Sequence, residues 1–130
     1  MTCREIYHAA LRLICEKEDG GNASDYEDRA GYLLAAFCTE ASKADNRCRA
    51  EAGEGPLPPF AKVFIELDSP FPLLDVFLPA AQYYLAAMLV IDENEELSDR
   101  LFARYSDAIS QIQEHPSAKA APIKDRYHLL

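Results

Sequence analysis

The stretch LPAAQYYLAAMLVI, residues 78–91, restricts the possible folds of this chain more than any other segment. On a helix, its apolar side chains cover nearly every face. Such a helix is stable only when other elements pack on several of its sides. The sequence therefore predicts a central helix here, surrounded by the rest of the chain.

Two capping boxes mark the starts of helices before this segment: TCRE at 2–5 and SDYE at 24–27. The first predicts a helix over 3–17, ended by the glycine pair of the sequence EDGG. The second precedes the clearest helical stripe in the chain, with apolar residues at spacings of three and four, and predicts a helix over 25–51.

The central helix and the segment after it form a predicted helical hairpin. Asp75 is a candidate N-cap for the central helix, predicted over 75–91. Either Asp92 or Asn94 then caps a fourth helix, predicted over 94–114, with almost no loop between the two.

Length and composition agree with one globular domain, since the chain has 130 residues, of which 49% are hydrophobic and 27% charged. We predict an all-α fold, a small bundle of four main helices. The bundle occupies residues 1–115, with a Pro-rich, partly extended central loop. Residues 116–130 are predicted to form an extended C-terminal arm, because they show neither a helical stripe nor caps.

The centre of the chain, GEGPLPPFAKVFIELDSPFP at 53–72, contains five prolines. Apolar residues at every second position from 61 to 67 give a weak strand signal, and a lone strand needs a partner. That partner could come from the arm or from another subunit. The candidate subunit-interface residues are Val63, Ile65, Ile123, Asp125 and Tyr127.

The charge is uneven, with a formal net charge of −9 overall and three basic residues against one acidic residue in 116–130. The absence of a basic face argues against a duplex-DNA or anionic-membrane binder. A basic arm could dock on the acidic body of another copy. The residues Glu93, Glu95, Glu96 and Asp99 form an acidic cluster, which suits a helix N-terminus, a divalent cation, or a surface that repels DNA phosphates.

Chemical motifs are weak throughout the sequence. Glu5-x-x-His8 has the spacing of di-metal helical bundles, but its only near-match is Asp125-x-x-His128 in the arm. No hydrolase, phosphate-loop or dinucleotide motif is present. We therefore expect no catalytic residues, no metal and no cofactor. The four cysteines include no C-x-x-C pair, and the N-terminus lacks a signal-peptide pattern. Both features predict a protein of a reducing cytosol, and we predict no membrane segment.

The order of elements resembles that of the head–tail connector (adaptor) proteins of tailed bacteriophages and prophages. The resemblance rests on the capped helix MTCREIYHAALRLI, the helix YYLAAMLV, the acidic turn, the helix ELSDRLFARYSDAI and the arm PIKDRY. It implies a structural subunit that forms a ring under the portal protein and extends the DNA channel. A tail or stopper protein would dock on the ring, and DNA would pass through it without specific binding.

Family membership also implies a location in the bacterial host cytoplasm during assembly, and in the virion afterwards. An alternative interpretation is a small cytosolic helical module for protein interaction or regulation, which needs only a groove for a partner. A metal-using helical-bundle enzyme is a third possibility.

Overall fold

The computed structural model describes residues 1–16 and 20–114. Four helices make up the described part of the chain: α1, Cys3–Leu13; α2, Ala23–Glu51; α3, Leu78–Val90; and α4, Glu95–Glu114. A short 3₁₀ turn, Asp75–Phe77, precedes α3. The prediction of an all-α bundle of four main helices is confirmed.

Helix α3 lies at the centre of the bundle and packs against α1, α2 and α4. Leu85, Ala86 and Ala87 have no exposed surface, and Leu89 is almost as deeply buried. The alanines let neighbouring helices approach closely, while the leucines fill the space between them. The apolar character of this helix on all sides is thus explained by packing on several faces.

The capping box that opens α1 is present as predicted. The Thr2 hydroxyl accepts a hydrogen bond from the Glu5 amide, and the Glu5 carboxylate accepts one from the Thr2 amide. The end of α1 is different from the prediction, because the helix stops at Leu13 instead of residue 17. Cys15 adopts a φ of 60°, in the left-handed region.

A Schellman motif is the physical reason for this early end. The Glu16 amide donates to the Leu11 carbonyl over 2.8 Å, and the Cys15 amide donates to the Arg12 carbonyl over 3.1 Å. Glycine usually occupies the left-handed position of this motif, so a cysteine there conceals it in the sequence.

The second predicted capping box is wrong, since α2 begins at Ala23 and Ser24 lies inside its first turn. The N-cap is Asn22, whose side chain makes no capping bond and instead lies 3.4 Å from the Glu93 carboxylate. The end of α2 at Glu51 agrees with the prediction.

The α3–α4 hairpin is tight and is held by polar contacts. Asn94, one of the two predicted caps, accepts a hydrogen bond from the Leu97 amide over 3.1 Å. The fully buried Ser98 hydroxyl donates to the Ala87 carbonyl over 2.9 Å and so joins the two helices. Asp75 does not cap α3 directly, because the 3₁₀ turn intervenes and α3 starts at Leu78.

The central segment contains no regular strand in the described part of the chain; one isolated bridge joins Thr2 to Pro70. Its partner is the chain's own N-terminus. The Arg4 amide donates to the Leu67 carbonyl over 2.7 Å, and the Phe71 amide donates to the Met1 carbonyl over 2.9 Å. The sequence analysis expected the arm or another subunit to pair with this segment. The N-terminus of the same chain makes these backbone hydrogen bonds instead.

The four cysteines are free thiols, and only Cys15 is exposed. Burial raises the pKa of Cys3 to about 11 and that of Cys38 to about 12, and it also raises the pKa of Cys48. Buried thiols with raised pKa react slowly, because the thiolate is the nucleophile. We expect a thiol reagent at pH 8 to label one cysteine rapidly in the native protein and all four in denaturant.

Mass mapping of the labelled peptides identifies the fast thiol, and Cys15→Ser serves as the control that abolishes it. Rapid labelling of Cys38 in the folded protein contradicts the packing described here.

Candidate functional site

An open groove of about 400 Å³ lies where the start of α1, the first half of α2 and the central segment meet. We call it the Phe64 groove. Its walls combine aromatic, apolar and charged side chains, namely Arg4, Glu27, Asp28, Tyr32, Phe64, Glu66 and Leu67. The groove is therefore built from three parts of the chain, at residues 4, 27–32 and 64–67, that are more than twenty residues apart in sequence.

The central segment reaches this position because α2 has a glycine opposite it. The Ile65 amide donates to the Gly31 carbonyl over 3.2 Å. A Cβ on Gly31 would lie 2.6 Å from the Ile65 carbonyl oxygen and would overlap the Phe64 ring. The missing side chain thus lets the central segment lie directly on α2.

Substituting Gly31 with Ala tests this close approach. Overpacking typically costs about 1–3 kcal/mol, and the better helix propensity of alanine offsets up to about 1 kcal/mol of it. We expect the free energy of unfolding, measured by urea denaturation, to fall by about 1–2 kcal/mol. Gly21→Ala is the matched control, because nothing lies within 4 Å of a Cβ at that position. A more stable Gly31→Ala protein contradicts the contact.

Two aromatic rings form the apolar part of the groove. The Tyr32 and Phe64 ring centroids are 4.8 Å apart with an interplanar angle of 59°. Tyr32 is 56% exposed and Phe64 is 39% exposed, although both are large and hydrophobic. Val63 beside them is 77% exposed. Exposed apolar side chains grouped in this way are typical of a protein-binding site.

The charges around the rings are mainly negative. Arg4 is already paired, with its Nε 2.7 Å from Asp68 Oδ1 and its Nη1 3.5 Å from Glu27 Oε2. The hydrogen bond from Arg4 holds the pKa of Asp68 below its ordinary value. The exposed carboxylates of Asp28 and Glu66 have no such pairing within the described residues. The groove therefore suits a ligand with both apolar and cationic groups.

The two predicted interface residues of the central segment, Val63 and Ile65, differ in their exposure to solvent. Val63 is on the surface, as an interface residue must be. Ile65 is only 6% exposed and packs in the core, so its side chain is not available to a partner in this structure. Phe64, which the sequence pattern assigned to the opposite face, is exposed instead. The other predicted interface residues, Ile123, Asp125 and Tyr127, lie outside the described residues.

The predicted acidic cluster is divided by the structure. Glu93 accepts a hydrogen bond from the Tyr26 hydroxyl over 2.5 Å, at the α3–α4 turn. Burial, together with this bond, raises the pKa of Tyr26 to about 12, so the hydroxyl remains a donor. Glu93 therefore fixes the hairpin to the start of α2.

The other three acids, Glu95, Glu96 and Asp99, are exposed at the start of α4. Glu95 and Glu96 lie in its first turn, where the helix dipole favours negative charge. Within residues 1–16 and 20–114, no three histidine, cysteine or acidic side chains are grouped so that they could hold a metal ion. The Glu5 carboxylate is occupied by the capping box. The near-match of the Glu5-x-x-His8 pair, Asp125-x-x-His128, lies outside the described residues.

Comparisons with known proteins add no relative to this picture. No protein-family model, curated protein or solved structure matches this chain. In the part of the chain that the structure describes, no helix is both long and apolar enough to cross a membrane. The Phe64 groove, with its exposed rings and unpaired acids, is the surface from which function is inferred.

Proposed function

We propose that this protein is a structural subunit of a bacteriophage or prophage head–tail connector. In this proposal, copies of the chain form a ring under the portal protein, extend the DNA channel and present a docking surface to a tail or stopper protein. The observation that carries the proposal is the exposed surface of Val63, Phe64 and Tyr32 on an all-helical body. The resemblance of the sequence to connector proteins supports it.

The central segment is suited to docking because it is fixed on both sides of its exposed residues. Ile65 and Leu67 are buried and bonded through their backbones to α2 and to the N-terminus. Before them, the Leu57 amide and carbonyl both bond to the Asn46 side chain over 2.9 Å. A surface that is already ordered loses little conformational entropy when it binds.

The exposed acids at the start of α4 have a role in the same proposal. If this helix end faces the channel, Glu95, Glu96 and Asp99 repel the phosphates of threaded DNA. Repulsion of this kind prevents the duplex from adhering to the wall of the channel. The DNA is then a passenger and not a ligand. Assembly takes place in the host cytoplasm, and the ring remains in the virion.

Electron microscopy of the protein mixed with purified portal tests the proposal. We expect ring-shaped density below the portal, and we expect Val63→Asp to abolish it without changing the melting temperature, because Val63 is 77% exposed. Leu57→Asp is the matched control, since Leu57 is an exposed residue of the same segment that is bonded to Asn46, 15 residues along α2 from Gly31, which anchors the Val63 and Phe64 surface. Failure of the unsubstituted protein to bind portal at any concentration overturns the proposal.

A further inference from the structure

We infer that the Phe64 groove binds the C-terminal segment, residues 116–130, of a neighbouring copy of this chain. The inference rests on the proposed function in one respect, namely that copies of the chain are adjacent in a ring. It goes further by naming the occupant of the groove and the charges that select it.

Charge complementarity is the first argument. The carboxylates of Asp28 and Glu66 in the groove have no ion pair among the described residues, whereas Arg4, the cation that lines it, is already bonded to Glu27 and to Asp68. The net charge of −9 conceals a basic C-terminal region, because residues 116–130 contain Lys119, Lys124 and Arg126 against Asp125. An acidic groove attracts a segment of this charge.

Chemical complementarity is the second argument. The groove offers two aromatic rings next to acids, and Lys or Arg can lay its aliphatic stem on a ring while its charged group meets a carboxylate. The segment PIKDRYHLL, 122–130, alternates such cations with apolar residues, Ile123 and Tyr127 among them. The apolar side chains of such a ligand can contact the two rings while its cations contact the carboxylates. Protein interfaces commonly combine an apolar centre and a polar rim in this way.

The position of the groove favours a neighbouring copy over the same copy. The last turn of α4 lies beside Val76 and Pro79, near the start of α3. That region is bonded to Asp45 in the second half of α2, through the Leu74 amide. Asp28 is 17 residues earlier on α2, or about 25 Å along the helix at 1.5 Å per residue. A segment leaving α4 must therefore double back along its own bundle to reach its own groove.

Photocrosslinking on the full-length chain tests the inference. We replace Tyr32, an exposed ring of the groove, with the photoreactive aromatic p-benzoylphenylalanine, and irradiate a mixture of isotopically light and heavy copies with purified portal present. Mass spectrometry of the crosslinked peptides shows which residues are joined and whether they belong to one copy or to two. We expect mixed light–heavy peptides that contain residues 116–130.

Charge reversal supplies the specific test. In the groove, Asp28→Lys with Glu66→Lys is expected to lower the crosslinking yield about fivefold or more, because two rim attractions become repulsions. In the segment, Lys124→Glu with Arg126→Glu has the same effect, and combining all four substitutions restores the yield. The control is Glu51→Lys with Asp92→Lys, which changes the net charge equally at exposed positions outside the groove and leaves the yield unchanged.

The outcomes separate this inference from the proposed function. Crosslinks within one copy, or crosslinks from Tyr32 to the portal alone, overturn the inference while a ring under the portal still stands. Mixed-copy crosslinks to residues 116–130 without portal binding support the groove as a homotypic docking site and overturn the connector function. The inference is also overturned if the control substitutions lower the crosslinking yield as much as the groove substitutions do.

Discussion

Leu85→Asp is expected to abolish the cooperative thermal unfolding of this protein and most of its helical circular dichroism at 25 °C. Leu85 has no exposed surface, and α3 is enclosed by the other three helices. An aspartate there has no partner for its charge, and substitutions of this kind cost about 4–5 kcal/mol or more. Since a domain has a total stability of about 5–15 kcal/mol, little or none remains.

Leu89→Asp is expected to give the same result, because Leu89 is 1% exposed on the same helix. Gln82→Asp is the matched control, since Gln82 is a partly exposed polar residue of α3 and its substitution adds the same charge. A normal melting curve for Leu85→Asp would show that α3 is not the centre of the folded protein.

The second large effect is expected at Asp45, a charged side chain that is only 2% exposed. Its two carboxylate oxygens have different partners. One lies 2.8 Å from Arg49 Nε, and the other accepts a hydrogen bond from the Leu74 amide over 2.9 Å. Asp45 therefore joins the second half of α2 to the chain that leads into α3.

Asp45→Ala is expected to lower the free energy of unfolding by about 3–5 kcal/mol, measured by urea denaturation. The reason is that it leaves the Leu74 N–H and the Nε of Arg49, whose side chain is 14% exposed, without their acceptor. Arg49 then keeps only the longer contact of its Nη1 with Glu54, at 3.6 Å. The exposed pair of Glu96 and Arg100, 3.9 Å apart, supplies the control. Glu96→Ala is expected to change the stability by less than about 1 kcal/mol, and equal effects at the two sites would contradict the assigned role of Asp45.

The helices were predictable because their signals are local. The capping box at Thr2, the stripe of α2 and the Asn94 cap depend on residues three or four positions apart. The end of α1 was not predictable, because Cys15 adopts a conformation for which glycine is the usual signal. The pairing of the central segment with the N-terminus was missed for another reason: it joins residues more than sixty positions apart, and periodicity does not report such contacts.

The candidate site was predictable only in part. Val63 was predicted as an interface residue and lies on the surface, but the alternating pattern grouped it with Ile65, which the structure buries. A strand in a sheet would place both on one face, whereas this irregular segment turns between them. Tyr32 was not singled out, and Gly31 was the available signal, because an isolated glycine within a helical stripe often marks a close backbone approach.

The backbone bonds between the first residues and the central segment also have a consequence for biosynthesis. The Met1 carbonyl and the Cys3 and Arg4 amides have their partners at positions 67–71. During translation these partners emerge from the ribosome more than sixty residues after the groups they bond, and α3, against which α1 packs, emerges later still. The first helix must therefore wait undocked, exposing Ile6, Ala10 and Leu11, until the second half of the nascent chain arrives. Chaperones that bind exposed apolar segments of nascent chains are expected to act on this chain during that interval.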